Sequence, residues 1–272
     1  MRYAVLGGDM RFAHLVAMLN ESGREATGFL QEKANGDTRP LKELKQHSCI
    51  LSNWPMRWPL SDQLATETEI LEYIAPGSVL LLCGPGFPKE RRWDLQYVNL
   101  WEDEALLCEN AYLTAEGAVA SAMRHVGTSM EGVCCVVVGY GRIGRALTGI
   151  LRNQGANVTV ISSSEAKRRE VREMGAEAAS MMRLTEVLPG KQVIFSTPPA
   201  MFIDRPALER ADEDAVIIDL ASPPYGVDLD AAHALNLNAY REPGLPGRYC
   251  PLSAARAIFN SVLRWEEAEG NV

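Results

Sequence analysis

Three glycines near the middle of the chain have the spacing of a turn that binds dinucleotides. Gly139, Gly141 and Gly144 form a GxGxxG pattern that follows the apolar run 133–138 and precedes apolar residues at helical spacing. The first glycine of such a turn permits a sharp bend, the second lets a pyrophosphate approach the backbone, and the third lets the helix pack closely on the strand. N–H groups at the helix start then face the phosphates. The predicted cofactor residues of this turn are Gly139, Tyr140, Gly141, Arg142, Ile143 and Gly144.

The segment after the next predicted strand, residues 157–161, favours NADP over NAD. The Asp or Glu that binds the ribose hydroxyls of NAD is absent from this strand end, where serines and then basic residues stand instead. Hydroxyl groups and a cation would bind a 2′-phosphate, whereas a carboxylate would repel it. The alternative is that the basic residues only form a solvated helix face. The predicted contacts here are Ser162, Ser163, Ser164 and Lys167.

Three further segments complete the predicted cofactor site. A Thr-Pro pair after the strand 192–196 keeps the backbone near the nicotinamide ribose. Asp219 either orients its own loop through hydrogen bonds or touches the nicotinamide side, and a segment rich in Pro and Gly, 243–247, crosses the mouth of the cleft. The residues predicted from these segments are Thr197, Pro198, Asp219, Ala221, Pro243 and Gly244.

A second glycine turn lies near the start of the chain. It follows the strand candidate 2–6 and enters a helix, but it lacks the third glycine of a dinucleotide turn. Such a turn could hold a substrate carboxylate, with Arg11 as a bidentate partner. We therefore predict that Gly8, Asp9 and Arg11 bind substrate. The alternative is an ordinary turn between a strand and a helix, with Arg11 at the surface.

The elements around these turns predict a fold of two Rossmann-like parallel α/β sheets. Strand candidates alternate with helix candidates in both halves of the chain, and this alternation is typical of parallel sheets. Ligands of such sheets bind at the carboxyl ends of the strands. We predict an N-terminal substrate domain over 1–111, a bridging helix within 112–130 and a nucleotide-binding domain over 131–248.

The composition disfavours nucleic acids and anionic membranes as partners. The 272 residues are 47% hydrophobic and 23% charged, with a formal net charge of −8, and excess negative charge repels such partners. Six cysteines without CxxC spacing favour reduced thiols over a disulfide framework or a metal site. No signal peptide is visible, and no apolar run approaches the roughly 20 residues of a membrane span. We expect a cytoplasmic protein without a bound metal.

Several longer segments resemble the A subunit of dipicolinate synthase, a sporulation enzyme. The resembling segments are VLGGDMR, LTAEGAVASAMRH, VVVGYGRIGRAL, EMGAE, FSTPPAMFI, VIIDLASPPYGVD and EPGLPGRYCPLSAARAI. They cover nearly the whole second half of the chain and only patches of the first half. The run DLASPPYGVD followed by PGLPGRYCP is much more specific than the glycine turn alone.

This resemblance implies a two-domain arrangement like that of formate dehydrogenase, with the returning helix 252–272 packed on the N-terminal domain. It implies oxidation of a dihydrodipicolinate to dipicolinate with reduction of NADP, and it implies a partner, the flavoprotein-like B subunit. A homo-oligomer is a further expectation, because such domains often dimerise. One departure concerns the 2′-phosphate site: we expect an Arg at the position of Ser162, and the basic residues here come later.

The implied substrate is a small cyclic dicarboxylate between the two domains. Arg11 and the first glycine turn would hold one carboxylate, and Arg248 or the start of the final helix would hold the other. Glu116 and His125 are the candidate catalytic bases, with water as the alternative. Glu116 could instead cap or pack its helix, and His125 could be an ordinary surface residue.

Two other functions fit the same residues. The first is another NAD(P)-dependent dehydrogenase of the 2-hydroxy-acid or alanine dehydrogenase type. Such enzymes usually carry a clear catalytic His or Lys in the C-terminal half. The only candidate that we find there is His233, on a predicted exposed helix. The second is a protein that senses NADP without catalysis.

Overall fold

Alternating strands and helices make up the chain. The computed structural model describes residues 1–30, 39–53, 67–88 and 91–270. The strands are β1 (Arg2–Leu6), β2 (Glu25–Phe29), β3 (Cys49–Asn53), β4 (Val79–Cys83), β5 (Gln96–Asn99), β6 (Cys134–Val138), β7 (Asn157–Ile161), β8 (Glu177–Ala179), β9 (Val193–Ser196), β10 (Val216–Asp219) and β11 (Asn238–Arg241). The helices are α1 (Met10–Glu21), α2 (Glu67–Glu72), α3 (Glu104–Val126), α4 (Arg142–Asn153), α5 (Glu165–Glu173), α6 (Leu184–Val187), α7 (Arg205–Leu208), α8 (Leu229–Ala234), α9 (Leu245–Tyr249) and α10 (Pro251–Ala268).

The first compact unit, Met1–Asn110 with Pro246–Val272, is built on a five-stranded parallel sheet. The strand order is β2-β1-β3-β4-β5, so the direction of winding reverses between the neighbours β1 and β3. In such sheets the ligand crevice opens beyond the carboxyl ends of the strands at this reversal. The glycine turn that follows β1 therefore lies where the fold places a ligand.

Strand β1 is buried on both faces because apolar side chains cover the sheet on either side. Tyr3 and Val5 enter a cluster that includes residues of α1 and α10. Ala4 and Leu6 point the opposite way, into a second cluster that includes Phe29. The alternation follows from the two-residue period of a strand.

Helix α10 packs on this first unit, as predicted. Its residues Ala257, Ile258 and Val262 are buried in the same cluster as Leu15 and Leu19 of α1. These positions lie on one stripe of the helix, as expected for an amphipathic helix covering a core. The C-terminal segment is therefore part of the N-terminal core.

A buried carboxylate ties α10 to β1. Glu266 is 4% exposed, accepts a hydrogen bond from the Tyr3 hydroxyl and pairs with Arg24 at 2.5 Å. Burial alone would raise the pKa of Glu266, but hydrogen bonds from Arg24 and Tyr3 and the charge of Arg24 lower it below its usual range. Burial and the same bond raise the pKa of Tyr3. The carboxylate is therefore held in its charged form.

Glu266→Ala should destabilise the protein, because it leaves the buried Tyr3 hydroxyl and the Arg24 guanidinium without this acceptor. We expect a loss of about 1–3 kcal/mol in the free energy of unfolding, measured by urea titration. The exposed neighbour Glu267 provides the matched control, and Glu267→Ala should have little effect. Equal losses in the two variants would contradict this role.

The stability contributed by Glu266 should depend on pH in a defined direction. Its folded pKa is lowered, so the contribution is complete above the unfolded value of about 4.3 and is lost as the pH falls through the folded value. The stability difference between wild type and Glu266→Ala should therefore shrink in acid. A difference that grows below pH ~4 would contradict this assignment.

The second compact unit, Ala111–Leu245, contains a six-stranded parallel sheet. Its order is β11-β10-β9-β6-β7-β8, the strand order of a Rossmann fold with β6 as the first, central strand. The predicted fold class of two parallel α/β sheets is confirmed. The winding reverses between β6 and β9, so the carboxyl ends of these two strands mark the expected cofactor crevice.

The structure differs from the sequence predictions at the sheet edges and in one helix. The strands β5 and β8 were not predicted, because they are short edge strands without a continuous apolar run. Helix α3 begins at Glu104, earlier than the predicted start within 112–130. None of the helices in the described part of the chain has the length and apolar character needed to cross a membrane.

Candidate functional site

The glycine turn after β6 brings helix α4 into close contact with the strand. Gly139 has a φ of +93°, a conformation that favours glycine. A Cβ atom added at Gly144 would lie 2.2 Å from the Gly139 carbonyl oxygen, and one added at Gly139 would lie 2.4 Å from Thr197 Oγ1. Two of the three glycines are therefore required by the packing of the protein itself.

The middle glycine leaves space at the helix start. Gly141 is the N-cap of α4 and no side chain of the described residues caps the helix there. Apart from its two chain neighbours, no atom of the described part of the chain lies within 4 Å of the position its Cβ would take. Its φ of −88° is open to any residue, so conformation alone does not require glycine. Open space above uncapped helix N–H groups fits a dinucleotide pyrophosphate. Arg142 is exposed beside this space and Ile143 is half-buried.

The side chain of Tyr140 points away from this space. It is 3% exposed, and its hydroxyl lies 3.0 Å from Met174 Sδ and 3.4 Å from Glu170 Oε1. Burial raises its pKa. The predicted cofactor contact of Tyr140 can therefore involve its backbone only.

Thr197 and Pro198 lie beside the glycine turn, where the sequence predicted them. The Thr197 hydroxyl donates to the Val138 carbonyl at 3.0 Å, which links the end of β9 to the end of β6. The ring of Pro198 lies against the Cβ position of Gly139. Both residues thus line the carboxyl edge at the reversal between β6 and β9.

Asp219 organises its own loop. Its side chain is fully buried and accepts from the backbone N–H groups of Ala221 at 3.2 Å and Gly226 at 3.3 Å. Arg241 adds a hydrogen bond at 3.3 Å and stacks on the ring of Tyr225. Of the two roles open for Asp219 in the sequence, the geometry favours loop orientation. Pro243 and Gly244 are exposed just after β11, and Gly244 has a φ of +66°.

The serines at the end of β7 have separate positions. Ser162 is 4% exposed and its hydroxyl accepts from the Ser164 N–H at 3.3 Å. Ser164 is the N-cap of α5 and accepts from the Lys167 N–H at 3.4 Å. Ser163 and the side chain of Lys167 are exposed. The local hydrogen bonds fix the strand end and the helix start together.

Arg168 is the basic residue that lies against the end of β7. The sequence predicted Lys167 in this role and did not predict Arg168. Its guanidinium donates to the Ser162 carbonyl at 2.5 Å, and its side chain is only 12% exposed. The signal was available, because long helical side chains point back towards the preceding turn. Glu165, one turn before, pairs with both Arg168 and Arg172, and these bonds lower the pKa of its carboxyl group.

In the first unit, the predicted substrate residues lie close together. Gly8 has a φ of +86°, and its Cβ position is filled by the ring of Phe12. Asp9 caps α1 and forms a forked ion pair with Arg11, from Nε and Nη2, at 2.8 Å each. The backbone of Gly247 lies against this pair, since a Cβ there would be 2.5 Å from Asp9 Oδ2. Arg248, the next residue, is exposed.

The two predicted catalytic bases have different positions in the second unit. The His125 ring stacks on Tyr240 at 3.8 Å. It lines a cavity of about 390 Å³ with residues near the amino ends of β9, β10 and β11, including Gln192, Val216 and Asn238. The glycine turn is at the opposite, carboxyl edge of this sheet. The His125 Nε2 atom also lies 3.9 Å from Glu242 Oε1, just beyond the end of β11. The catalytic role of His125 stays a prediction.

Glu116 lies nearer the carboxyl edge. One turn before His125, the Ser121 hydroxyl donates to Glu242 Oε1 at 2.8 Å, just beyond the end of β11. Helix α3 therefore runs antiparallel to β11, and its earlier part extends past the carboxyl ends of the strands. Glu116 is exposed on this part of the helix.

The cofactor unit matches a known domain family. Residues 107–238 match the NAD-binding domain of D-isomer-specific 2-hydroxyacid dehydrogenases. This match spans the glycine turn, the end of β7 and the loop of Asp219. The cofactor is therefore a nicotinamide dinucleotide, in agreement with the open space at Gly141.

Nearly the whole chain is similar to one known enzyme component. The A subunit of dipicolinate synthase from Bacillus subtilis (strain 168) is 26% identical over 278 residues, which cover 96% of this chain and 94% of that protein. The resemblance to this family is confirmed. The fold agrees: the crystal structure of the corresponding Bacillus halodurans protein gives a TM-score of 0.83 at 22% identity, with 97% of each chain covered. The Bacillus subtilis structure gives 0.80 at 23% identity, covering 99% of this chain and 97% of that chain.

Together, the domain match and the similarity to the dipicolinate synthase A subunit show an NAD(P)-dependent oxidoreductase of the dehydrogenase type. The nicotinamide, when bound, supplies a hydride acceptor or donor. The glycine turn and the first N–H groups of α4 would hold the phosphates of this cofactor, and the end of β7 would hold its adenosine ribose.

Gly141→Ala should weaken cofactor binding without unfolding the protein. A methyl group at this position meets no atom of the described residues beyond its chain neighbours, so it would enter the space that the pyrophosphate would use. We expect the Kd for NADPH, measured by fluorescence titration, to rise about tenfold or more. The matched control is Gly149→Ala in the same helix, where added carbon also meets nothing. If both variants bind NADPH like the wild type, the pyrophosphate is not at this turn.

Proposed function

We propose that the protein oxidises a dihydrodipicolinate to dipicolinate with NADP as the hydride acceptor. The observation that carries this proposal is similarity along 96% of the chain to the A subunit of dipicolinate synthase, together with an intact dinucleotide turn. A match to the cofactor domain alone would not indicate the substrate. This similarity also includes the unit that contains Asp9 and Arg11, the predicted substrate residues.

Arginine side chains would recognise the two carboxylates of this substrate. The pair with Asp9 uses Nε and Nη2 of Arg11, so its Nη1 edge faces away from this carboxylate. The proposal assigns this edge to one substrate carboxylate and Arg248 to the other, because guanidinium groups bind carboxylates through charge-assisted hydrogen bonds. Asp9 then holds the guanidinium in position.

Loss of a hydride and a proton makes the ring aromatic, and the proton needs an acceptor. Of the two predicted bases, Glu116 is favoured by its position beyond the carboxyl ends of the strands, where the glycine turn also lies. His125 is disfavoured because its ring stacks on Tyr240 at 3.8 Å and lines a cavity with residues at the amino ends of β9, β10 and β11. Water remains the alternative acceptor.

The preference for NADP rests on the groups at the end of β7. No carboxylate side chain extends from the strand end itself, where Ser162, Ser163 and Ser164 stand. The Arg168 guanidinium is held there by the Ser162 carbonyl. A guanidinium and hydroxyl groups are suitable partners for a 2′-phosphate.

We further propose that this protein works with a partner, the flavoprotein-like B subunit, in the complete enzyme. We also propose that this chain forms a homo-oligomer. Neither the net charge of −8 nor the substrate chemistry supports a nucleic acid or a membrane as a binding partner. Co-purification of the two proteins would test the first statement, and light scattering of this protein by itself would test the second.

Turnover of dihydrodipicolinate with NADP is the direct test. We expect NADPH to form at 340 nm when the purified protein, alone or with the B subunit, receives freshly generated dihydrodipicolinate. The domain match favours 2-hydroxy acids as the second candidate substrates, so lactate and glycerate belong in the same assay. Reduction of NADP with a 2-hydroxy acid only would replace the proposed substrate, and binding without any turnover would favour a sensor.

Arg11→Ala should raise the KM for dihydrodipicolinate about tenfold or more, because it removes a charge-assisted contact to a carboxylate. The Kd for NADPH should change little. Arg256→Ala, on an exposed position of α10, is the matched control. An unchanged KM in Arg11→Ala would remove this side chain from the substrate site.

A further inference from the structure

The ion pair at the end of β7 occupies the edge of Arg168 that a phosphate would use. Arg168 Nε and Nη2 both donate to Glu165 Oε2, the first at 3.1 Å. This is the forked edge with which a guanidinium binds carboxylates and phosphates. Arg172 donates to the other oxygen of Glu165 at 3.2 Å. A 2′-phosphate must therefore take the place of this carboxylate to bind Arg168 in the same way.

The two partners of this ion pair differ in their freedom to move. The Arg168 side chain is 12% exposed and stays bonded to the Ser162 carbonyl through Nη1. The Glu165 side chain is 60% exposed, so it can rotate into solvent at the small cost of an exposed ion pair. The cation is fixed and its carboxylate partner is replaceable.

We propose that Glu165 is a specificity-determining residue that competes with the 2′-phosphate of NADP for Arg168. Its carboxylate neutralises Arg168 when no phosphate is present and is displaced when NADP binds. NAD has no phosphate at this position, so it binds without displacing Glu165. Glu165 therefore reduces the difference in affinity between NADP and NAD that Arg168 creates. This inference rests on the proposed assignment of Arg168 to the 2′-phosphate.

Glu165→Gln removes the competing charge and keeps the side-chain size. We expect the Kd for NADPH to fall about two- to fivefold, the range of an exposed ion pair, while the Kd for NADH stays the same. The gain should shrink as salt is raised towards about 1 M, since exposed charges are then screened. Fluorescence titration of the whole protein measures both constants without a substrate.

Two further variants make the test specific. Glu209→Gln breaks an exposed pair with Arg205, at 3.1 Å across α7 and its C-cap, and should change neither constant. Arg168→Ala should raise the Kd for NADPH. Adding Glu165→Gln to Arg168→Ala should leave this raised Kd unchanged, because the competition needs the guanidinium of Arg168.

The outcomes separate this inference from the proposed cofactor preference. A wild type that binds NADH more tightly than NADPH overturns the proposed preference, yet a gain for NADPH in Glu165→Gln still supports the competition. An unchanged or higher Kd for NADPH in Glu165→Gln overturns the inference. A higher Kd for NADH in that variant also overturns it and assigns Glu165 to the ribose hydroxyls instead.

Discussion

The contact between Gly144 and the carbonyl of Gly139 is the constraint on which the cofactor unit depends. With 2.2 Å between that oxygen and the position of a Cβ, only glycine lets α4 start directly over the end of β6. This closeness points the first N–H groups of the helix at the space beside Gly141. Thr197 closes the other side of the turn through its bond to Val138. The ends of β6 and β9 meet beside this glycine turn.

Both units place a carboxylate and a guanidinium beside a strand end. Asp9 holds Arg11 after β1, and Glu165 holds Arg168 after β7. The difference lies in the carboxylate: Asp9 also caps α1 through the Arg11 N–H, whereas Glu165 is mostly exposed. A capping carboxylate positions its cation, while an exposed one can exchange with a ligand phosphate.

The strand that leads into the first glycine turn is secured by the far end of the chain. Helix α10 buries Ala257, Ile258 and Val262 against the cluster that holds Tyr3 and Val5. Glu266 adds charged hydrogen bonds to Tyr3 and Arg24. Because both faces of β1 are covered, the turn that follows has a rigid support.

The sequence by itself determined most of the elements and the cofactor class, but not the short edge strands β5 and β8. The spacing of Gly139, Gly141 and Gly144 and the apolar runs around them are local signals, and local geometry decides turns, strands and helix starts. Only the tertiary structure decided which charged side chains meet. Arg168 rather than Lys167 lies on the strand end, Asp219 binds its own loop, and the His125 ring stacks on Tyr240. The reason is physical: the partner of a polar side chain depends on burial and on residues distant in sequence, which residue spacing does not encode.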